Sequence, residues 1–267
     1  MKKPTVKNGK VPPTTKKMAP VTKALSKPTP GVKAAAVKAP KPVKVQVVRP
    51  EIDHRPPVLP ETKDLWDQLA EDAWAVIPNF LNPNLVLSLR EDLQERQAAG
   101  EFKKAGIGKG KKYRLDADVR ADSVLWLDPD TATPVQKKLF AKIEELRETI
   151  NKELFLGLRG FEGHYAAYPR GGRYERHKDT FHQDDNRSVS FVLYLNERWQ
   201  SEWGGQLRLF EGKNPTRISK EVEPRGGTLA LFMSSEIEHE VVASGMERLS
   251  FTGWFLQNDP TALTRKN

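Results

Sequence analysis

In Ser188-Val-Ser-Phe-Val-Leu-Tyr-Leu195 the residues Val189, Phe191, Leu193 and Leu195 occupy alternate positions. An extended chain turns such a set to one side, so the stretch reads as a strand with one apolar face. The same period of two runs from Phe161 to Tyr168 and recurs in Gln206 to Phe210, Thr228 to Met233 and Arg248 to Phe255, with Gly-rich or polar turns between. Upstream of residue 160 the period is helical. Leu139, Ile143, Leu146 and Ile150 place a helix over 134–156, and Pro83 after an Asn82 cap opens another containing Leu85, Leu87, Leu89 and Leu93. Leu65 to Leu69 begins a short amphipathic helix, and Trp74 to Phe80 and Val124 to Leu127 read as strands. Helices first and then about seven short strands predict an α+β chain with a mainly β core, a sandwich or jelly roll braced by N-terminal helices.

The charge divides the 267 residues unequally. The total of 44 Lys and Arg against 35 Asp and Glu gives +9, but residues 1–50 alone hold 12 Lys and Arg49 with no acid, a net of +13. The remaining residues hold 31 bases and 35 acids, a net of −4. The first segment also carries 9 of the 20 prolines and no aromatic residue. It has too little apolar surface to offset its ordering entropy, so residues 1–58 are expected to be a disordered Lys/Pro/Ala-rich tail. Residues 59–267 form the expected single domain, with 59–157 as helical support and 158–257 as core. The tail is suited to contact nucleic acid, a ribosome or another polyanion through salt-dependent, sequence-independent binding. No apolar run suits a signal-peptide core or a membrane span, so no membrane contact and a cytoplasmic location are expected. The absence of cysteine excludes disulfides, Cys-ligated zinc and thiol nucleophiles.

The five histidines are His54, His164, His177, His182 and His239. Two of them open His-x-Asp pairs, His177-Lys-Asp179 and His182-Gln-Asp184. In extended chain, residues two apart point the same way, so either pair could grip one metal ion. Two His and one carboxylate on one face leave three open positions, the pattern of non-haem Fe(II) oxygenases. His239 is the downstream candidate for the third ligand. Val241 to Arg248 reads as a hairpin turning at Ser244-Gly245, which would set His239 opposite Ser250 and diagonal to Arg248, about 7–8 Å away. Thr252 and Trp254 share that face by parity. A metal ligand and a guanidinium at this separation could hold the two ends of a short dicarboxylate.

Together these residues resemble the 2-oxoglutarate- and Fe(II)-dependent dioxygenases of the prolyl 4-hydroxylase type. The resemblance runs through Tyr168-Pro-x-Gly-Gly, His177-x-Asp179, Tyr194-Leu-Asn196, Gly204-Gly205, Pro224-x-Gly-Gly227, His239 and Arg248, and more weakly through Asp72 to Leu81, Arg120-x-Asp122 and Trp126. It implies a double-stranded β-helix in which His177, Asp179 and His239 hold Fe(II). Arg248 and Tyr194 would bind the far carboxylate of 2-oxoglutarate, Tyr168 and Thr252 would line the same pocket, and Leu207 and Trp254 would form its apolar wall. The family's spacing to Tyr194 favours the earlier His-x-Asp pair. O2 would be the second cosubstrate and ascorbate a reductant, with succinate and CO2 released.

The activity this implies is 4-hydroxylation of a prolyl residue in a protein or peptide. The alternatives are hydroxylation of another residue or a small molecule, or an inactive oxygenase fold that binds nucleic acid or ribosomes. His164 shares parity with Tyr168 and could face the pocket. Arg120 and Asp122 read as a structural ion pair, and Gly106 to Lys112 as a basic loop.

Overall fold

The computed structural model describes residues 64–107, 114–180, 186–212 and 214–258. The tail, the His182–Asp184 pair and most of the basic loop at 106–112 lie outside them. A side-chain cap starts each helix. Asp64 accepts from the Trp66 N–H at the head of α1 (Leu65–Asp72), and Asn82 accepts from the Leu85 N–H at the head of α2 (Pro83–Ala98). Thr133 and Gln136 cap each other's backbone to open α3 (Pro134–Leu154). Leu139, Ile143, Leu146 and Ile150 of α3 are buried, as their spacing predicts. In α2 the buried stripe is Val86, Leu89 and Leu93, and Leu87 faces solvent, because only residues three or four apart share a helix face. Asp92 ties the helices to the sheet by accepting from Thr133 Oγ1, Gln136 Nε2 and the Tyr165 hydroxyl.

Eleven strands occur among the described residues: β1 (Trp74–Ile77), β2 (Lys103–Lys104), β3 (Ser123–Trp126), β4 (Gly160–Tyr168), β5 (Tyr174–His177), β6 (Arg187–Tyr194), β7 (Leu207–Glu211), β8 (Asn214–Val222), β9 (Leu229–Met233), β10 (His239–Val241) and β11 (Arg248–Leu256). They form a large antiparallel sheet in the order β1-β9-β6-β11-β4-β3-β2 and a small one in the order β5-β10-β7-β8. One face of the large sheet packs Leu249, Phe251, Phe255, Phe191 and Leu193 against the helices. Its other face packs Ala166, Val192, Ala230 and Phe232 against Leu207, Leu209 and Val241 of the small sheet. This is the expected jelly roll braced by helices.

One local expectation fails. β10 and β11 do not form a hairpin: β10 pairs with β5 and β7, while β11 pairs with β4 and β6. Residues 242–247 cross from one sheet to the other. Their backbone groups are taken up elsewhere, since Ser244 exchanges hydrogen bonds with Gly171 and Gly172 while Ala243 and Gly245 bond Gly205 and Trp203. His239 and Arg248 therefore belong to opposed sheets rather than to neighbouring strands.

The pairing of β11 with β4 and β6 sets Gly253 beside Gly163 and Phe191. A Cβ at position 253 would lie 2.2 Å from the Glu162 carbonyl oxygen and 2.4 Å from the Phe191 ring. Backbone cannot retreat as a flexible side chain does, so Gly253→Ala is expected to cost about 3 kcal/mol or more of stability. Denaturant unfolding of the variant against wild type measures this, and a midpoint unchanged from wild type would contradict it.

Candidate active site

His177 closes β5, and Asp179 follows it two residues on. His239 opens β10 and pairs directly with His177 across the small sheet. Asp179 Oδ1 lies 3.7 Å from His177 Nε2 and 3.8 Å from His239 Nε2, and one donor atom from each of the three residues falls within 4.8 Å of the others. The Nδ1–H of His177 donates to the Glu175 carbonyl at 2.8 Å. A carbonyl can only accept, so this bond assigns the proton to Nδ1 and leaves the Nε2 lone pair facing the cluster. Burial, reinforced by the neighbouring His239, lowers His177 to about 3, which keeps its ring neutral at physiological pH. Burial alone would raise the Asp179 carboxyl. The two imidazoles and a hydrogen bond from Ser190 outweigh it and hold the carboxyl below its usual range. Two imidazoles and one carboxylate with the His177 lone pair aimed inward suit a divalent iron.

Arg248, at the start of β11, is 1% exposed. Its Nε donates to the Gly205 carbonyl at 2.9 Å, and its guanidinium carbon lies 5.1 Å from the ring centres of both Tyr168 and Tyr194. Its Nη2 and the Tyr194 hydroxyl are buried without hydrogen-bond partners. No acid pairs with Arg248 among the described residues. Burial pushes the Tyr194 phenol up to about 12, with the Arg248 charge acting against it, and pushes Tyr168 up as well, so both remain protonated donors. A buried guanidinium whose Nη2 is unpaired and a phenol with no partner among the described residues together call for an anion. Arg248, Tyr168, Thr252, Trp254 and Leu207 line one cavity with His177, Asp179 and His239. The structure thus brings together all nine residues singled out in the sequence, since Tyr194 meets Arg248 in the same place.

Arg120 grips Asp122 through two hydrogen bonds of 2.7 and 3.0 Å, the expected ion pair, and also lies 4.7 Å from the centre of the Tyr174 ring. Tyr174 in turn stacks on His177 with centroids 3.6 Å apart. Sequence reasoning missed Tyr174. It stands three residues before His177, the wrong parity for a shared strand face, and a shift of register in the β5–β10 pairing brings it round. Val192, Phe232, Ser190 and Ser234 were missed too.

His164 does face the cavity, its ring stacked on Trp254 at 5.6 Å between centres and tilted against Trp126 at 4.8 Å. Burial, with the positive charge of Arg120, lowers it from 6.5 to about 3. An unfolded chain takes up a proton below about pH 6.5 that the native ring refuses. The stability His164 contributes is therefore complete above that pH and is lost as the pH falls toward 3. At pH 5 the loss is about 2 kcal/mol. Unfolding free energies at pH 7 and pH 5 should differ by that much less in His164→Leu than in wild type, and equal pH slopes would contradict it.

Comparison with known proteins agrees with this geometry. A family model described as the 2OG-Fe(II) oxygenase superfamily matches residues 163–256. A crystal structure of a Pseudomonas putida prolyl-4-hydroxylase is 42% identical with a TM-score of 0.64, over 73% of this chain and 97% of that one. The chain belongs to the 2OG-Fe(II) oxygenase superfamily. This oxygenase also resembles a Trichoplax adhaerens prolyl hydroxylase solved with a peptide fragment of the hypoxia inducible factor oxygen degradation domain, at 25% identity and a TM-score of 0.66, over 76% of this chain and 91% of that one. Human Egl nine homolog 1 is 26% identical over 196 residues, 70% of this chain and 44% of that protein. The oxygenase spans about half the length of such curated relatives. Membership implies Fe(II), 2-oxoglutarate and O2, and the donor set fits them. Among the described residues no helix is long and apolar enough to cross a membrane.

Proposed function

We propose that this oxygenase 4-hydroxylates a prolyl residue in a protein or peptide, consuming 2-oxoglutarate and O2 and releasing succinate and CO2. The observation that carries the reading is the buried Arg248, paired with no acid among the described residues, in one cavity with the His177, Asp179 and His239 cluster. Close identity to a prolyl-4-hydroxylase over nearly all of its length supports the choice of substrate residue.

His177, Asp179 and His239 hold Fe(II), which when bound supplies the redox chemistry coupling decarboxylation of 2-oxoglutarate to oxygen insertion into a C–H bond. Arg248 and Tyr194 donate to the far carboxylate of the cosubstrate and fix its direction. Tyr168 and Thr252 flank it, and Leu207 and Trp254 keep water from the cavity, which strengthens the charge contacts inside. Arg187 lies 3.6 Å over the Trp254 ring, while Trp126 continues the aromatic surface outward to solvent. A prolyl side chain, apolar and rigid, suits such a mouth.

The test is succinate formation from 2-oxoglutarate with Fe(II) and proline-containing peptides, with amino-acid analysis of the product. Turnover that yields 4-hydroxyproline supports the reading. Turnover that oxidises another residue or a small molecule instead overturns the choice of proline, and wild-type protein that neither binds iron nor turns over cosubstrate overturns the enzyme.

A further inference from the structure

The two oxygens of Asp179 have different surroundings. Oδ1 faces the Nε2 atoms of His177 and His239. Oδ2 accepts a 2.6 Å hydrogen bond from Ser190 Oγ, which itself lies 2.8 Å from Ser234 Oγ. A hydroxyl has one proton, and that of Ser190 goes to the carboxylate, so Ser234 must be the donor to Ser190. The chain of bonds therefore runs one way, from Ser234 through Ser190 to Asp179. Both serines are at most 1% exposed. Ser190 sits in β6, and Ser234 follows β9 directly, where its backbone N–H donates to the Ser188 carbonyl at 3.0 Å. Ser190 thus belongs to the large sheet and Ser234 is hydrogen-bonded to it at Ser188, whereas His177 and His239 stand in the small one.

We infer that this hydroxyl pair sets the denticity of Asp179: by engaging Oδ2 it offers the metal Oδ1 alone and so reserves a coordination position for oxygen. The inference rests on the metal assignment proposed above. With three protein donor atoms an iron keeps three open positions, two for the 2-oxoglutarate chelate and one more. A carboxylate that supplied both oxygens, as carboxylates often do for metal ions, would fill that last position. A short, charge-assisted O–H···O⁻ bond from a buried serine, polarised further by a second hydroxyl, opposes the swing. Ser190 and Ser234 are thus positioning residues acting through Asp179.

Water-proton relaxation by the full-length protein loaded with Mn(II) counts the exchangeable water positions on the metal. Ser190→Ala is expected to lower that count from about three to about two, and with 2-oxoglutarate added from about one to about none. Ser190→Thr, which keeps the hydroxyl, should restore the wild-type count. Ser234→Ala, which leaves Ser190 in place but unpolarised, should show a smaller fall. Circular dichroism and Mn(II) titration establish that each variant is folded and loaded. Relaxation per bound Mn(II) that is equal in Ser190→Ala and wild type overturns the inference alone. So does a folded Ser190→Ala that no longer binds Mn(II), since the serine would then retain the metal rather than limit the carboxylate. Wild-type protein that binds no Mn(II) overturns the metal assignment and the inference together.

Discussion

Arg248→Ala is expected to weaken 2-oxoglutarate binding by roughly two to three orders of magnitude, the equivalent of about 3–4 kcal/mol. The size follows from the surroundings of the guanidinium. It is essentially inaccessible to solvent, has one backbone acceptor at Gly205, and lies 5.1 Å from two tyrosine ring centres with no acid paired to it among the described residues. A carboxylate arriving there would find an already desolvated cation, so the partner carries the full weight of the pair. Calorimetric titration of 2-oxoglutarate into Mn(II)-loaded protein without oxygen reads the affinity directly. Arg248→Lys should recover part of the loss, because it keeps the charge but not the planar fork. Wild-type affinity in Arg248→Ala would remove the residue from the site.

The second large effect concerns the metal. His177→Ala should lower Fe(II) affinity by more than about 100-fold, because even the loss of an outer partner of a ligand typically costs about 10–100-fold. His182→Ala, the same change in the neighbouring His-x-Asp pair, should bind iron as wild type does. Competition with a chromophoric chelator compares the two. The reverse result would transfer the ligand role to His182 and Asp184.

Much of the site is legible in the sequence because strands make it so. The alternation in Ser188 to Leu195 that locates β6 also assigns Tyr194 to the face opposite Phe191 and Leu193, whereas Ser190 and Val192 share that parity and still stay unassigned, because parity does not say what a face meets. The two-residue spacing of His177 and Asp179 marks them as a pair, although only His177 lies in a strand and Asp179 sits in the bend after it. Legibility fails where partners are distant along the chain. The hairpin expected at Ser244-Gly245 is a local reading, and the actual mates of β10 are β5 and β7, identified only by long-range pairing. Tyr174 escapes because an irregular register breaks strand parity, and Ser234 because it lies just past a strand end, where no periodic pattern marks it. β8 reads poorly because Asn214 to Val222 is polar and largely exposed, with only one surface to cover.

β11 has a consequence for how this chain can change over time. Arg248, Ser250, Thr252 and Trp254 lie on its cavity side, while Leu249, Phe251 and Phe255 anchor it to the helices. A substitution in the strand alters one duty at a time, but a single inserted or deleted residue would exchange them, turning phenylalanines into the cavity and the arginine into the apolar core. Lineages of this fold can therefore change side chains of β11 one at a time, outside Arg248 and Gly253, while its length stays locked. New specificity has to enter by replacement within the strand or by lengthening the loops around it.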